Sequence, residues 1–581
     1  MEEQIYIVTL YKSEDLEQFY NDMERNGFKL SLKRPISRNT HYWMTEDQAK
    51  ELRQDPRIWE VTLLTELKDA SSAIVNNTPY TLNGVFWKAD SIVQEDIIVQ
   101  IDPGITDFQW GHLHCAGTEA QRRKGIWGYA SGQEGIDESV SDTVQIYNNG
   151  KHVDVVIVDE PVSKDCEEWY SPTTNQTRFV EYQWFNELNS YIESENLDDD
   201  FTTLPTGDIE YHTNASNPSY HGNHVAGTVA GQYYGWAREA NIYSMSGVGG
   251  VPYVSGQVVP GTLRFDYLRA FHRTKPINPE TGKRNPTISN HSYAGQIEIP
   301  GGNLTIDKIE YIIGRDGNTY NSSHAGPSGW TEDGVQNDFG IRFGISDYPS
   351  YYVPIVSDVL QAIEDGIVVI GSAGNDHLML ANGPTDQDWN NQIKLIDGPL
   401  IYYNRGAWPN TPDSGSIVVG ALGYFRNFYQ ATFSNYGPGV DIFAPGQNII
   451  STFNNIGIAD SKYSAGNYIY PISGTSMASP QVAGAIALAA SGKNRFTQSD
   501  ATKYLKDTQI SDELSFNFGI NLNLSEAEEA GSFLDFTAQK GSPNLTLAVK
   551  NTRPASGQIE EIKGERKVSG QVYPRQPKLY G

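Results

Sequence analysis

The sequence predicts an α/β domain built on a mostly parallel sheet, preceded by a small α+β unit. Three observations carry this. Between residue 153 and about residue 505, short apolar strand patterns alternate with helical ones, the order of a parallel sheet with crossover helices. Apart from Asp154, the runs at 153–158, 367–370 and 417–419 are continuously apolar rather than alternating, as strands buried on both faces are. Residues 5–65 read in the order β-α-β-β-α-β.

In that first unit, residues 5–11 alternate like a strand. Ser13 is placed to cap a helix through Glu24, with Glu14 and Asp15 in the first turn, where the helix dipole favours acids. Residues 28–36 and 40–44 read as strands. Thr45-Glu46-Asp47-Gln48 is a capping-box sequence, opening a helix to about residue 55, and 58–65 is the last strand. This order is ferredoxin-like. Residues 68–105 are mixed and Asn-rich, and read as a linker. In the large domain, 354–365 and 477–491 are helical patterns. Residues 295–351 are rich in Gly, Asn, Ser and Tyr, and read as a long surface insertion. Residues 511–581 read as an extension ending in a tail, whose last thirty or so residues carry Pro, Gly and Lys/Arg with little periodicity.

Composition narrows the function classes. Of 581 residues, 43 are Lys or Arg and 71 are Asp or Glu, a net charge of −28. That balance argues against a general nucleic-acid binder, which needs a basic face, and against docking on anionic membranes. With 38% hydrophobic and 20% charged residues, the chain is expected to be globular. Two cysteines, Cys115 and Cys166, make neither a disulfide framework nor a Cys-x-x-Cys zinc site. The first residues, Met1-Glu2-Glu3-Gln4, lack the basic and apolar regions of a secretory signal, and no apolar run is long enough to span a bilayer. Synthesis in the cytoplasm is expected.

Chemistry concentrates in three blocks. Val153-Asp154-Val155-Val156-Ile157-Val158-Asp159 puts an acid at the end of an apolar strand, the sheet edge where ligands gather in open α/β folds. His221-Gly222-Asn223-His224-Val225-Ala226-Gly227 puts a histidine at the mouth of a small-residue helix. Ser473-Gly474-Thr475-Ser476-Met477-Ala478-Ser479-Pro480 puts a serine where an Ala/Gly-rich helix begins, with Pro480 in its first turn. Taken singly, each has a bland reading: a turn aspartate, a pair of core histidines, tight helix packing. The order Asp, His, Ser joins them.

These blocks resemble the subtilisin-like serine proteases, the subtilases, over roughly residues 110–506. The Gly-Thr-Ser-Met-Ala-Ser-Pro block is intact, and the histidine block differs by Asn223 where the family has Thr. Ile367-Val368-Val369-Ile370-Gly371-Ser372-Ala373-Gly374-Asn375 and Phe433-Ser434-Asn435-Tyr436-Gly437 agree with further family blocks. The resemblance implies a subtilisin-like doubly wound parallel sheet. It implies Ser476 as nucleophile, His221 as base and Asp159 as its partner, with Asn375 and the Ser476 backbone N–H as oxyanion donors. It assigns Ser292, Tyr293, Ala294, Ser372, Ala373 and Gly374 to substrate binding, and makes His224 structural. It implies polypeptide substrates and no required cofactor. Calcium is common in the family, and Asp198-Asp199-Asp200 is an acidic candidate.

The first unit, 1–67, resembles the family's inhibitory propeptides. It is expected to act as an intramolecular inhibitor that places residues 66–70 in the cleft of a catalytic domain spanning 106–510. Its wording is also similar to subtilases of marine tailed phages. One departure stands out: Asp159 is followed by Glu160 and Pro161, where the family usually has Ser or Thr and then Gly. Competing classes fit less well. An α/β-hydrolase needs a histidine after the nucleophile, and the last one is His377. A metallopeptidase needs a His-Glu-x-x-His helix, which is absent from the sequence. A virion or assembly component using the same fold as a binding module is the alternative from another class.

Overall fold

A computed structural model describes residues 3–34, 36–64, 67–71, 148–193, 204–423, 430–459 and 467–511. It also describes short elements at 88–89, 97–102, 110–116, 142–146, 545–546, 565–568 and 571–574. The Asp198–Asp200 run and most of the expected linker and tail lie outside the described residues.

The N-terminal unit contains β1 (Gln4–Leu10), α1 (Leu16–Arg25), β2 (Lys29–Leu32), β3 (Asn39–Met44), α2 (Glu46–Leu52) and β4 (Ile58–Leu63). They form an antiparallel sheet in the order β2-β3-β1-β4. Tyr6, Val8 and Leu10 alternate onto one face and pack with Phe19 and Met23 of α1. Ile7 faces the other way, into the core of the large domain. Thr45 and Gln48 form the reciprocal cap of α2. Ser13 does not cap α1, which starts at Leu16 after a 3-10 turn. Its hydroxyl instead accepts from Gln361 Nε2 at 3.0 Å, a bond to the large domain. A further strand, β5 (Asp69–Ser71), falls within the stretch that reads as linker.

The large domain contains β6 (Asp154–Asp159), β7 (Phe179–Val180), α3 (Trp184–Glu193), α4 (His221–Ala230), β8 (Asn241–Ser246), α5 (Arg264–Thr274) and β9 (Thr287–His291). After β10 (Tyr293–Glu298) come β11 (Ile309–Ile313), α6 (Glu332–Phe339), β12 (Asp347–Pro349), α7 (Val353–Glu364) and β13 (Val368–Ser372). Then follow β14 (Gln392–Leu395), β15 (Leu400–Ile401), β16 (Ile417–Leu422), β17 (Ile442–Pro445), β18 (Ile449–Phe453), β19 (Tyr468–Ile472), α8 (Thr475–Ala490) and α9 (Gln498–Thr508). Seven strands make a parallel sheet in the order β7-β8-β6-β9-β13-β16-β17. All of β6, β9, β13, β16 and β17 is buried, which is why β6, β13, β16 and β17 are largely apolar without alternation; β9 is buried although mostly polar. The chain winds outward from β6 to β7 and β8, then crosses to β9 on the other side. That reversal makes the carboxyl ends of β6 and β9 a switch point, the crevice where such folds hold ligands.

Residues 295–351 are more than a surface loop. β11 pairs with β14, which pairs with β15, so this segment and a second one near 376–405 share one sheet. They enclose their own apolar cluster, including Leu304, Ile312, Val335, Ile341 and Ile393. Among the described residues, no helix is long and apolar enough to cross a membrane.

Candidate active site

Asp159 is the last residue of β6 and is fully buried. Its Oδ1 lies 2.6 Å from Nδ1 of His221, the first residue of α4. The Glu160 backbone N–H donates to the same oxygen at 2.8 Å. A carboxylate can only accept here, so Nδ1 of a neutral His221 carries the proton and Nε2 is left as an acceptor. Nε2 is buried with no hydrogen-bond partner among the described residues. Burial pulls the His221 pKa down; the charge of Asp159, its hydrogen bond and the charge of Glu160 outweigh this and raise it.

Asp154, at the other end of the same strand, is taken up structurally. Lys275 Nζ donates to it at 2.7 Å, and Asn241 and Asn285 amides donate at 2.8 and 2.9 Å. His224 is likewise structural: Nε2 lies 2.8 and 3.1 Å from the carbonyls of Ile449 and Tyr470. Burial pushes its pKa down to about 3, so it stays neutral.

Ser476 sits in the first turn of α8, which packs along α4 and against β9, β13, β16 and β17. Its Oγ donates to the Ser292 carbonyl at 3.0 Å. Ser292 Oγ donates to the Ser476 carbonyl at 2.9 Å and accepts from Asn290 at 2.8 Å, while Ser479 Oγ donates to Asn290 Oδ1 at 2.7 Å. The start of α8 is thereby tied to the end of β9. Asn375 follows β13; its Oδ1 accepts from both the N–H and the hydroxyl of Thr475, each at 2.8 Å.

The departures after Asp159 form one compensated unit. Pro161 O accepts from Asn217 at 2.8 Å. Asn223, standing where the resemblance leads one to expect Thr, accepts from the Ser163 N–H at 2.7 Å and donates to Ser163 Oγ and Asn214. α4 also meets this turn closely: a Cβ on Gly222 would lie 2.1 Å from the Glu160 carbonyl.

The proposed substrate residues fall on two elements. β5 pairs antiparallel with β10, Ser71 opposite Tyr293, Ala70 opposite Ala294 and Asp69 opposite Gly295. Ser372 and Ala373 are buried at the end of β13, and the Gly374 N–H donates to Thr475 Oγ1 at 3.1 Å. The Tyr293 ring is buried rather than open to the groove, with the Arg264 guanidinium 5.2 Å from its centre. Sequence reading missed Arg264 and Thr475, and it expected 66–70 in the cleft without giving the strand pairing of β5. Thr475 was findable, being adjacent to the serine; Arg264 and Asp69 carry no local signal. Among the described residues, no group of three or more His, Cys, Asp or Glu is arranged to hold a metal ion.

The fold is that of an α/β protein with a doubly wound parallel sheet, and Asp159 and His221 form a buried pair at the end of its strand β6. The chain belongs to the subtilase family, whose profile matches residues 150–521, more than half of it. It is similar to a subtilisin-like protease of Coccidioides posadasii, 29% identical over 49% of this chain and 38% of that protein. It is also similar to proteinase R of Parengyodontium album, 30% identical over 38% of this chain and 57% of that protein. The chain thus spans less than two thirds of these relatives. Among solved structures, fervidolysin of Fervidobacterium pennivorans aligns with 18% identity and a TM-score of 0.44, covering 87% of this chain and 57% of that one.

Proposed function

We propose that the protein is a serine endopeptidase, with its N-terminal unit as an intramolecular inhibitor. The observation that carries the first part is the buried 2.6 Å Asp159–His221 pair, whose Nε2 has no hydrogen-bond partner among the described residues and belongs to a helix packed against the one that carries Ser476 in its first turn. In this reading Ser476 Oγ turns from Ser292 O to His221 Nε2, which takes its proton as Oγ bonds the substrate carbonyl carbon. Asn375 Nδ2 and the Ser476 N–H donate to the oxyanion. Collapse breaks the C–N bond, and Nε2 returns the proton to the leaving amine. Water then repeats the sequence on the acyl-enzyme and frees Ser476. Asp159 stays ionised and stabilises the imidazolium.

The second part is supported by β5. As the chain runs from Asp69 to Ser71, its partners run from Gly295 to Tyr293, toward Ser292 and Ser476. This is how an extended peptide adds to a sheet edge. A fluorophosphonate probe tests the chemistry: the protein is expected to be labelled and Ser476→Ala not. Absence of labelling on folded protein freed of residues 1–71 would sink the enzyme reading. Intact mass tests the inhibitor: a Ser476-dependent loss of a fragment ending soon after Ser71 is expected.

A further inference from the structure

The β5 segment makes one contact with the groove that backbone pairing does not require. The Asp69 carboxylate is buried, its side chain 6% exposed, although it lies in a three-residue strand. Oδ2 forms an ion pair with Arg264 Nη1, and Oδ1 accepts the Gly249 backbone N–H at 2.9 Å. Arg264 is itself 4% exposed. Its Nη2 donates to the Gly247 carbonyl at 2.7 Å, and its guanidinium lies over the Tyr293 ring. So α5 supplies the cation, the loop at 247–250 supplies a second donor, and Tyr293 of the groove strand forms the floor.

The neighbouring positions ask for nothing comparable. Ala70 and Ser71 are small, and Lys68 meets Glu298 at the rim, with side chains 56% and 67% exposed, where an ion pair is worth little. Arg264 differs because it is enclosed. Whenever Asp69 leaves, a buried guanidinium loses its only ion-pair partner among the described residues, which is costly unless another anion replaces it. A peptide in the same register restores it if it carries a carboxylate at the same place.

That place follows from the pairing. Ser71 lies opposite Tyr293, so the next residue of a chain in this register lies opposite Ser292, whose carbonyl is 3.0 Å from Ser476 Oγ. In the peptidase reading the residue opposite Ser292 is the one whose carbonyl meets the nucleophile, and Asp69 is three residues before it. We infer that the groove selects polypeptide substrates with an acidic side chain, aspartate above glutamate, three residues before the residue that is cleaved, and that Arg264 reads that side chain with the Gly249 N–H. The charge mimicry lets Asp69 hold the groove until it is replaced. This deepens the peptidase reading and rests on it.

The test uses internally quenched peptides of the sequence of residues 64–75, identical except for Asp, Glu, Asn, Ala or Lys at the place of Asp69. The Asp peptide is expected to exceed the Asn and Ala peptides in kcat/KM by roughly ten- to a hundredfold, the worth of one desolvated charged hydrogen bond. Lys is expected to be the poorest. Arg264→Gln is expected to bring the Asp-to-Asn ratio close to one, and Arg264→Lys to keep part of it. An active enzyme cleaving Asp, Asn and Ala peptides within twofold of one another overturns the inference and leaves the peptidase reading intact. If no peptide is cleaved and the fluorophosphonate does not label, the peptidase reading fails instead. The carboxylate contact is then decided in Ser476→Ala by hydrogen exchange. Asp69→Asn is expected to speed exchange of the Gly249 and Gln296 amides, which donate to Asp69 and to the Lys68 carbonyl, about tenfold, since the pairing loses its charged anchor. Unchanged exchange overturns the inference in that background.

Discussion

At the scale of the residue, His221 is governed by its two acidic neighbours. To act as a base it must be neutral, so its raised pKa sets the pH below which activity falls. Glu160→Gln removes one source of the rise, and the acid limb of kcat/KM against pH is expected to move to lower pH with its plateau little changed. A limb that stays put, or moves up, contradicts the charge coupling. The same shift has a stability sign. The His221⁺–Asp159⁻ attraction stabilises the folded state fully below the ordinary histidine pKa of about 6.5, and is lost as pH rises through the raised one. Asp159→Asn removes the acceptor that fixes the tautomer, and kcat is expected to drop roughly 10⁴-fold, the cost known for neutralising a triad aspartate. Asn375→Ala is expected to cost about 10²–10³ in kcat with KM nearly constant, because in the proposed mechanism its donor acts on the oxyanion; the scale comes from a related enzyme.

At the scale of the element, the site depends on how closely α4 approaches the turn after β6. Gly222→Ala places a methyl 2.1 Å from the Glu160 carbonyl, a backbone atom that cannot swing aside. A stability loss of about 1–3 kcal/mol is expected from such overpacking. Because the forced shift moves His221, the fluorophosphonate labelling rate is expected to fall as well; thermal melts and labelling kinetics on the same sample check both. This geometry also explains what the sequence made legible. Burial on both faces writes itself into 155–158, 367–370 and 417–419 as unbroken apolar runs, and the helix starts at His221 and Thr475 are marked by small residues that permit close packing. The Thr45–Gln48 cap was readable because it is local. Ser13 was misread because its partner, Gln361, lies 348 residues away. Residues 295–351 read as a surface insertion because the strand that completes their sheet, Gln392–Leu395, comes much later in the chain. β5 looked like linker for the same reason, since its pairing partner is at Tyr293.

At the scale of the whole molecule, the N-terminal unit is held to the large domain by a polar network that no local pattern announces. Arg34, 2% exposed, bonds Asp266 of α5 and Asp358 of α7, each at 2.8 Å. Ser37 and Asn39 donate to the other Asp358 oxygen at 2.6 and 2.9 Å, and Asn39 also reaches the Pro354 carbonyl. The Arg38 N–H donates to Gln361 at 3.0 Å. Among the described residues, Arg34 is therefore the only cation ion-paired with two buried carboxylates, both of them on the large domain. Such a cluster is weak as net stabilisation, yet breaking it from one side is severe, because the charges left behind stay desolvated. Arg34→Met in a Ser476→Ala background is expected to cost about 3–5 kcal/mol, and to cost it at the interface rather than in either core. The readout is native-state hydrogen exchange. Amides of β1 and β3 that exchange only through undocking should speed up together, while those of β9 and β13 keep their protection. Adding Asp358→Asn is expected to recover part of the loss, because the two carboxylates then no longer repel. If the double variant is instead as loose as the sum of the singles, the carboxylates do not communicate through Arg34, and the docking energy lies in the apolar contact around Ile7.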